Sequence, residues 1–86
     1  MWTITKDHID DGRSVGTVGP RSATLSAAEI IKQGCHFRMY DDDGNLYYGG
    51  YSLCDSDFGP LWDFGMPNAG CTGIKYRNAS GKYEWL

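Results

Sequence analysis

The run Cys35-His36-Phe37-Arg38-Met39-Tyr40-Asp41-Asp42-Asp43-Gly44-Asn45-Leu46-Tyr47-Tyr48-Gly49-Gly50-Tyr51 reads as two strands and a turn. Cys35, Phe37 and Met39 alternate with His36, Arg38 and Tyr40, the period of a strand with one face on a core. Asp43-Gly44-Asn45 supplies a tight-turn signal, and Leu46 to Tyr51 has the aromatic content of a return strand. Gly49-Gly50 predicts a bulge or a close backbone approach.

Outward from this hairpin, the helix is announced by Ser26-Ala27-Ala28-Glu29, a capping box in which Ser26 and Glu29 satisfy each other's backbone donors. Leu25 and Ile30 stand at the positions of a hydrophobic staple, and Gly34 stands where a left-handed C-terminal cap is expected. Trp2, Ile4 and Lys6 alternate with Thr3, Thr5 and Asp7 as a first strand. Residues 14–20 alternate too, but two glycines and Pro20 confine any strand there to an edge. At the other end, Thr72, Ile74 and Tyr76 alternate with Gly73, Lys75 and Arg77. A turn at 78–81 and a return through Tyr83-Glu84-Trp85-Leu86 complete a second hairpin. Residues 54–70 show no sustained period, and their Phe58, Leu61, Trp62, Phe64 and Met66 make an apolar loop expected to fold over the sheet. The expected fold is α+β: an antiparallel sheet of four to five strands, one short helix and a long aromatic Gly/Pro loop, in one domain spanning residues 1–86.

Composition agrees with a folded chain. Of 86 residues, 41% are hydrophobic and 22% charged, far from the signature of disorder. A chain this short buries about 60% of its unfolded surface and builds one core. No run approaches the roughly 20 apolar residues of a membrane span. Residues 1–7 lack the basic start and apolar run of a signal peptide, so a cytoplasmic location is expected. Three cysteines at wide spacing fit reduced thiols better than a disulfide framework.

Four chemistries are weighed against the residues. Asp41-Asp42-Asp43-Gly44-Asn45 fails as a calcium loop: with Gly44 at the invariant glycine, Met39 and Gly50 fall where oxygen ligands are required. Cys35, Cys54 and Cys71 with His8 or His36 lack the close pairs of structural zinc sites. A thiol nucleophile at Cys54 or Cys71 with His36 matches no enzyme motif. The glycines form no phosphate loop, and the net charge of −3 with scattered cations, Lys75, Arg77 and Lys82 apart, argues against direct contact with nucleic acid. No cofactor, metal or catalytic residue is expected.

The most distinctive feature is charge segregation. Between residues 41 and 63 there are six aspartates and no lysine or arginine. Asp41, Asp42, Asp43, Asp55, Asp57 and Asp63, with Trp62 and Phe64, are the expected protein-binding surface, suited to a partner with a basic face. A small-ligand or saccharide groove lined by Tyr47, Tyr51 and Trp62 is the alternative, and a small cysteine-dependent enzyme the third reading.

The stretch Phe37 to Tyr48, followed by Pro60-Leu61 and Asp63-Phe64-Gly65, resembles small uncharacterised bacterial and mobile-element proteins. In size, acidity and lack of catalytic motifs the chain is also similar to phage-encoded inhibitors of host defence, the anti-CRISPR and antirestriction proteins. That similarity implies a non-enzymatic inhibitor of a host nucleic-acid-handling complex.

Overall fold

A computed structural model describes all 86 residues. The strands are β1 (Trp2–Asp7), β2 (Val18–Gly19), β3 (Cys35–Tyr40), β4 (Leu46–Ser52), β5 (Gly73–Arg77) and β6 (Tyr83–Trp85). They form one sheet in the order β2-β1-β4-β3-β5-β6, and every neighbouring pair is antiparallel. The α+β class and the antiparallel sheet are as expected. The sheet has six strands rather than four to five, because the Gly- and Pro-bearing segment 14–20 does pair with β1, as the short edge β2. Two- and three-residue edges limit the row of unpaired backbone groups that an edge exposes.

The expected alternation organises the sheet. Phe37 lies opposite Gly50 and Tyr76, and Met39 opposite Tyr48 and Ile74, so these side chains share one face. With Trp2, Ile4, Leu61, Phe64 and Cys71 they form the core cluster. Gly50 is required there: a Cβ on it would lie 2.1 Å from the Thr3 carbonyl oxygen and 2.7 Å from the Phe37 ring.

β1 departs from simple alternation. Its register shifts between Ile4 and Lys6, so Lys6 faces Gly49 and Asp7 faces Tyr48. Thr5 is the extra residue of a bulge, which reverses the parity of Lys6 and Asp7. Lys6, expected in line with Ile4, therefore lies on the opposite face, and Asp7 turns to the core side. There its carboxylate accepts hydrogen bonds from the backbone N–H groups of Ile9, Asp10 and Ser14 at 2.9, 3.0 and 3.1 Å, which shapes the connection to β2.

Helix α1 (Ala27–Gln33) has the expected capping box: Ser26 Oγ accepts from Glu29 N–H at 3.3 Å, and Glu29 Oε1 accepts from Ser26 N–H at 3.1 Å. Gly34 is not the left-handed cap the sequence predicts, since its φ is −91°. It is glycine for space, because a Cβ would lie 2.7 Å from the Ile30 carbonyl oxygen and 2.8 Å from that of Ser52. α1 packs against β1 and β4, and its buried Ile30 stands apart from the main core cluster.

The segment expected to be a loop is largely helical. Pro60–Gly65 forms a π-helical turn that continues into α2 (Met66–Ala69), ended by Gly70 in the left-handed region at φ 71°. Leu61 and Phe64 enter the core from it, while Gly65 lets the segment close down: a Cβ there would lie 2.6 Å from Met39 Sδ. This flap seals one face of the sheet. No helix is long and apolar enough to cross a membrane.

Candidate functional site

The acidic surface expected from the sequence is divided by the fold. Asp41, Asp42 and Asp43 sit in the β3–β4 turn, where Asp41 is committed to turn geometry. Its Oδ1 accepts from the N–H groups of Asp43 and Asn45 at 2.9 and 2.8 Å, and its Oδ2 accepts from Asn45 Nδ2 at 2.9 Å. The Asn45 side chain first, then its backbone N–H, hold the Asp41 carboxyl below its ordinary range. Asp55 and Asp57 follow the far end of β4, a strand of seven residues, so about 20 Å of strand separates them from the turn. Asp57 accepts from Gly59 N–H at 2.7 Å. Asp63 and Trp62 lie on the outside of the flap, and Trp62 is 61% exposed. Phe64, expected on the docking surface, is only 7% exposed because it packs edge-on against Trp2 and Tyr48. Nor do Tyr47, Tyr51 and Trp62 line one groove. Tyr47 packs against the core cluster, Trp62 is on the flap, and Tyr51 faces the opposite side of the sheet.

That opposite side gathers the groups the sequence scatters. Lys6 on β1 pairs with Gly49 on β4, Gly49 with Arg38 on β3, Arg38 with Lys75 on β5, and Lys75 with Trp85 on β6. Directly paired residues project to the same face, so these five form a straight row across the sheet. At strand spacings near 4.8 Å the row spans about 19 Å. Gly49 leaves a dip in it, where a Cβ would stand 3.5 Å from Lys6 Cβ and 3.7 Å from His36 Nε2. No helix covers this face of β3, β5 and β6, because the flap lies on the core side and α1 packs on β1 and β4.

Rings flank the cations on this face. The Arg38 guanidinium carbon lies 3.9 Å from the Tyr83 ring centre. Lys75 Nζ lies 4.5 Å from the Trp85 ring and 5.2 Å from that of Tyr40. Trp85 meets Tyr40 edge-on at 5.3 Å and rests on Gly73, where a Cβ would be 2.6 Å from its ring. It is nonetheless 57% exposed. His36 Nδ1 is 2.6 Å from the Tyr83 hydroxyl, and its ring meets both Tyr51 and Tyr83 edge-on. Burial first, then the charges of Arg38 and Arg77, lower the His36 pKa below its ordinary value, so this imidazole is neutral at pH 7. Asp55 shares a crevice with Arg77 at one margin, whereas Glu84, paired with Tyr76, belongs to the core side.

No hydrogen bond joins a cysteine thiol to a histidine: His36 pairs with Tyr83 and Cys54 with Ser56. Cys71 is fully buried, and burial pushes its thiol up to about 11, with the Asp41 charge adding to the effect. Cys54 is exposed with its Sγ 3.2 Å from Ser56 Oγ. No three His, Cys, Asp or Glu side chains lie close enough together to hold a metal ion.

No protein-family model matches the chain, no curated protein matches its sequence, and no solved structure matches its fold. The residues of the open face come from positions 6, 38, 40, 75, 83 and 85, and sequence reasoning missed them as a set. The signal that could have found them was the polar phase of each alternating strand: His36-x-Arg38-x-Tyr40 and Gly73-x-Lys75-x-Arg77 carry cations and rings on the side away from the core.

Proposed function

We propose that this chain is a binding module without catalytic activity, that its working surface is the face of β3, β5 and β6 that no helix covers, and that its partner is a polyanion. One observation carries the reading. Arg38 and Lys75 stand directly opposite each other on adjacent strands, with Lys6 in the same row. Like charges set directly opposite each other repel, a cost that offsets part of what their ring contacts contribute. The contacts they make are with ring faces, which preserve their charge for an incoming anion. An anion bridging Arg38 and Lys75 would relieve their repulsion and gain two charge-assisted contacts.

The test is retention on heparin-agarose at low ionic strength. A chain of net charge −3 should be retained through this face and released by moderate salt. Charge reversal of Arg38 and Lys75 to Glu should abolish retention, while Asp55, Asp57 and Asp63 to Lys should leave the dependence on Arg38 and Lys75 intact. Passage of the unaltered protein without delay would reject the reading.

A second reading, an inhibitor from a phage or mobile element that docks its acidic segment on a basic host protein, is favoured by Trp62. This ring is largely exposed yet held in a parallel stack on Phe58, with centroids 5.1 Å apart and planes 9° apart, and Asp63 is its neighbour in the chain. Partner capture that weakens with salt and is lost on reversing Asp55, Asp57 and Asp63 would support it.

A further inference from the structure

We infer that the polyanion is single-stranded nucleic acid, laid across the strands with a base stacked on Trp85. The inference rests on the polyanion-binding reading and adds the class of ligand. Charge alone does not distinguish a nucleic acid from a sulfated sugar or an acidic peptide, but the rings do. The exposed indole of Trp85 ends the row of cations, buttressed below by Gly73 and at its edge by Tyr40. A ring fixed in place with surface to spare is a stacking platform, and its neighbour in register is Lys75. Base on ring beside phosphate on cation is the pairing that binds single strands with little regard to sequence. Heparin and acidic peptides present charge without a planar base.

The margins argue for one strand rather than two. The Asp41-Asp42-Asp43 turn directly adjoins Tyr40 at one border of the face. Asp55 stands beside Arg77 and His36 at the other. A cationic lane between acidic borders admits a single phosphate chain running from Lys6 towards Trp85. A duplex carries a charge every 1.7 Å or so, on two strands, and would bring phosphates against those carboxylates. Its bases are also stacked on one another and cannot stack on Trp85. Stacking on a ring and phosphate on a cation use neither the 2′-hydroxyl nor the base edges, so DNA and RNA single strands are both accepted.

The experiment is fluorescence anisotropy with labelled oligothymidylate and oligouridylate of about eight nucleotides, a length within single-strand site sizes. A GC-rich hairpin duplex that stays paired at low salt, unlabelled heparin and poly-glutamate serve as competitors. Both single strands should bind at low salt and be displaced by excess unlabelled single strand at least tenfold more effectively than by duplex or poly-glutamate. With three phosphates neutralised by Lys6, Arg38 and Lys75, log K should fall against log salt with a slope of about −2. Trp85→Ala should weaken binding about tenfold or more, Trp85→Phe should restore most of it, and Lys75→Glu should abolish it. Circular dichroism and thermal melting of each variant verify folding, and Trp85→Phe keeps the ring test valid if the alanine variant melts early.

Equal affinity for duplex or poly-glutamate, or unchanged affinity in folded Trp85→Ala, overturns the inference. If heparin binds in a Lys75-dependent way but neither oligonucleotide does, the nucleic-acid assignment fails and the polyanion-binding reading survives. If nothing binds, both fail.

Discussion

The two faces of this sheet are written by the same strands, one residue out of phase, and obey different rules. On the covered face Phe37, Met39, Tyr48, Ile74 and Tyr76 are buried against the flap, and glycine appears where backbones must meet. On the open face of β3, β5 and β6 the intervening residues are cations and rings that touch one another. Burial decides the first set. Stability asks little of the second, and would disfavour setting Arg38 against Lys75.

The sharpest way to break this contrast is to cut neighbouring residues of one strand. Phe37→Ala should lower unfolding free energy by about 3–5 kcal/mol, since it removes a buried ring and leaves a cavity. That is a large part of what a domain of this size possesses, about 4–13 kcal/mol. Arg38→Ala, one residue on, should change stability by less than about 1 kcal/mol in urea denaturation while weakening polyanion binding. Comparable destabilisation by both would mean that the open face is structural, and the distinction drawn between the two would fail.

Asp7 tests the bulge that turns β1 over. Its three backbone donors make Asp7→Ala worth about 2 kcal/mol. Burial pushes the carboxyl pKa up, but the N–H groups of Asp10, Ile9 and Ser14 together outweigh it, and the net direction is down. A depressed carboxyl stabilises the fold above its unfolded pKa, near 3.9, and loses that contribution as pH falls through the lower folded value. Acid unfolding curves of the wild type and Asp7→Asn should therefore converge at low pH and diverge above about pH 4. Parallel curves throughout would remove Asp7 from this role. Ser26→Ala, at the start of α1, should cost about 1 kcal/mol by thermal melting and leave binding by the open face unaltered.

Local chemistry made much of the fold legible. Alternation marked the strands of both hairpins, and Ser26 with Glu29 marked the start of α1. The features that escaped were set by tertiary fit: the bulge at Thr5 and the π-helical turn at Pro60–Gly65. The candidate site was obscured for a related reason. A local count of charge emphasises six aspartates within 23 consecutive residues, whereas a sheet unites Lys6, Arg38, Lys75 and Trp85 from four strands. Adjacency in sequence made the acidic segment conspicuous, and the length of β4 then divided it.

The smallest expected effect probes how the open face responds to an anion. Arg38 on the same strand, Arg77 on β5, Tyr83 on β6 and Tyr51 on β4 surround His36. After burial, the two arginines are what hold its pKa down. A phosphate seated on Arg38 offsets that repulsion, so ligand must raise the His36 pKa, and by linkage the complex takes up a proton. Single-strand affinity should therefore rise modestly as pH falls from 8 towards 6, and His36→Gln should flatten that slope. The unliganded protein shows the opposite sign. A histidine with a depressed folded pKa contributes its stability above the unfolded value near 6.5 and loses it as pH falls through the folded one. Tracking the His36 ring protons by NMR in a His8→Gln background measures both effects on one nucleus. An upward shift of the His36 titration on adding oligothymidylate ties the anion to this face, and an unmoved titration alongside measurable binding puts the ligand elsewhere on the molecule.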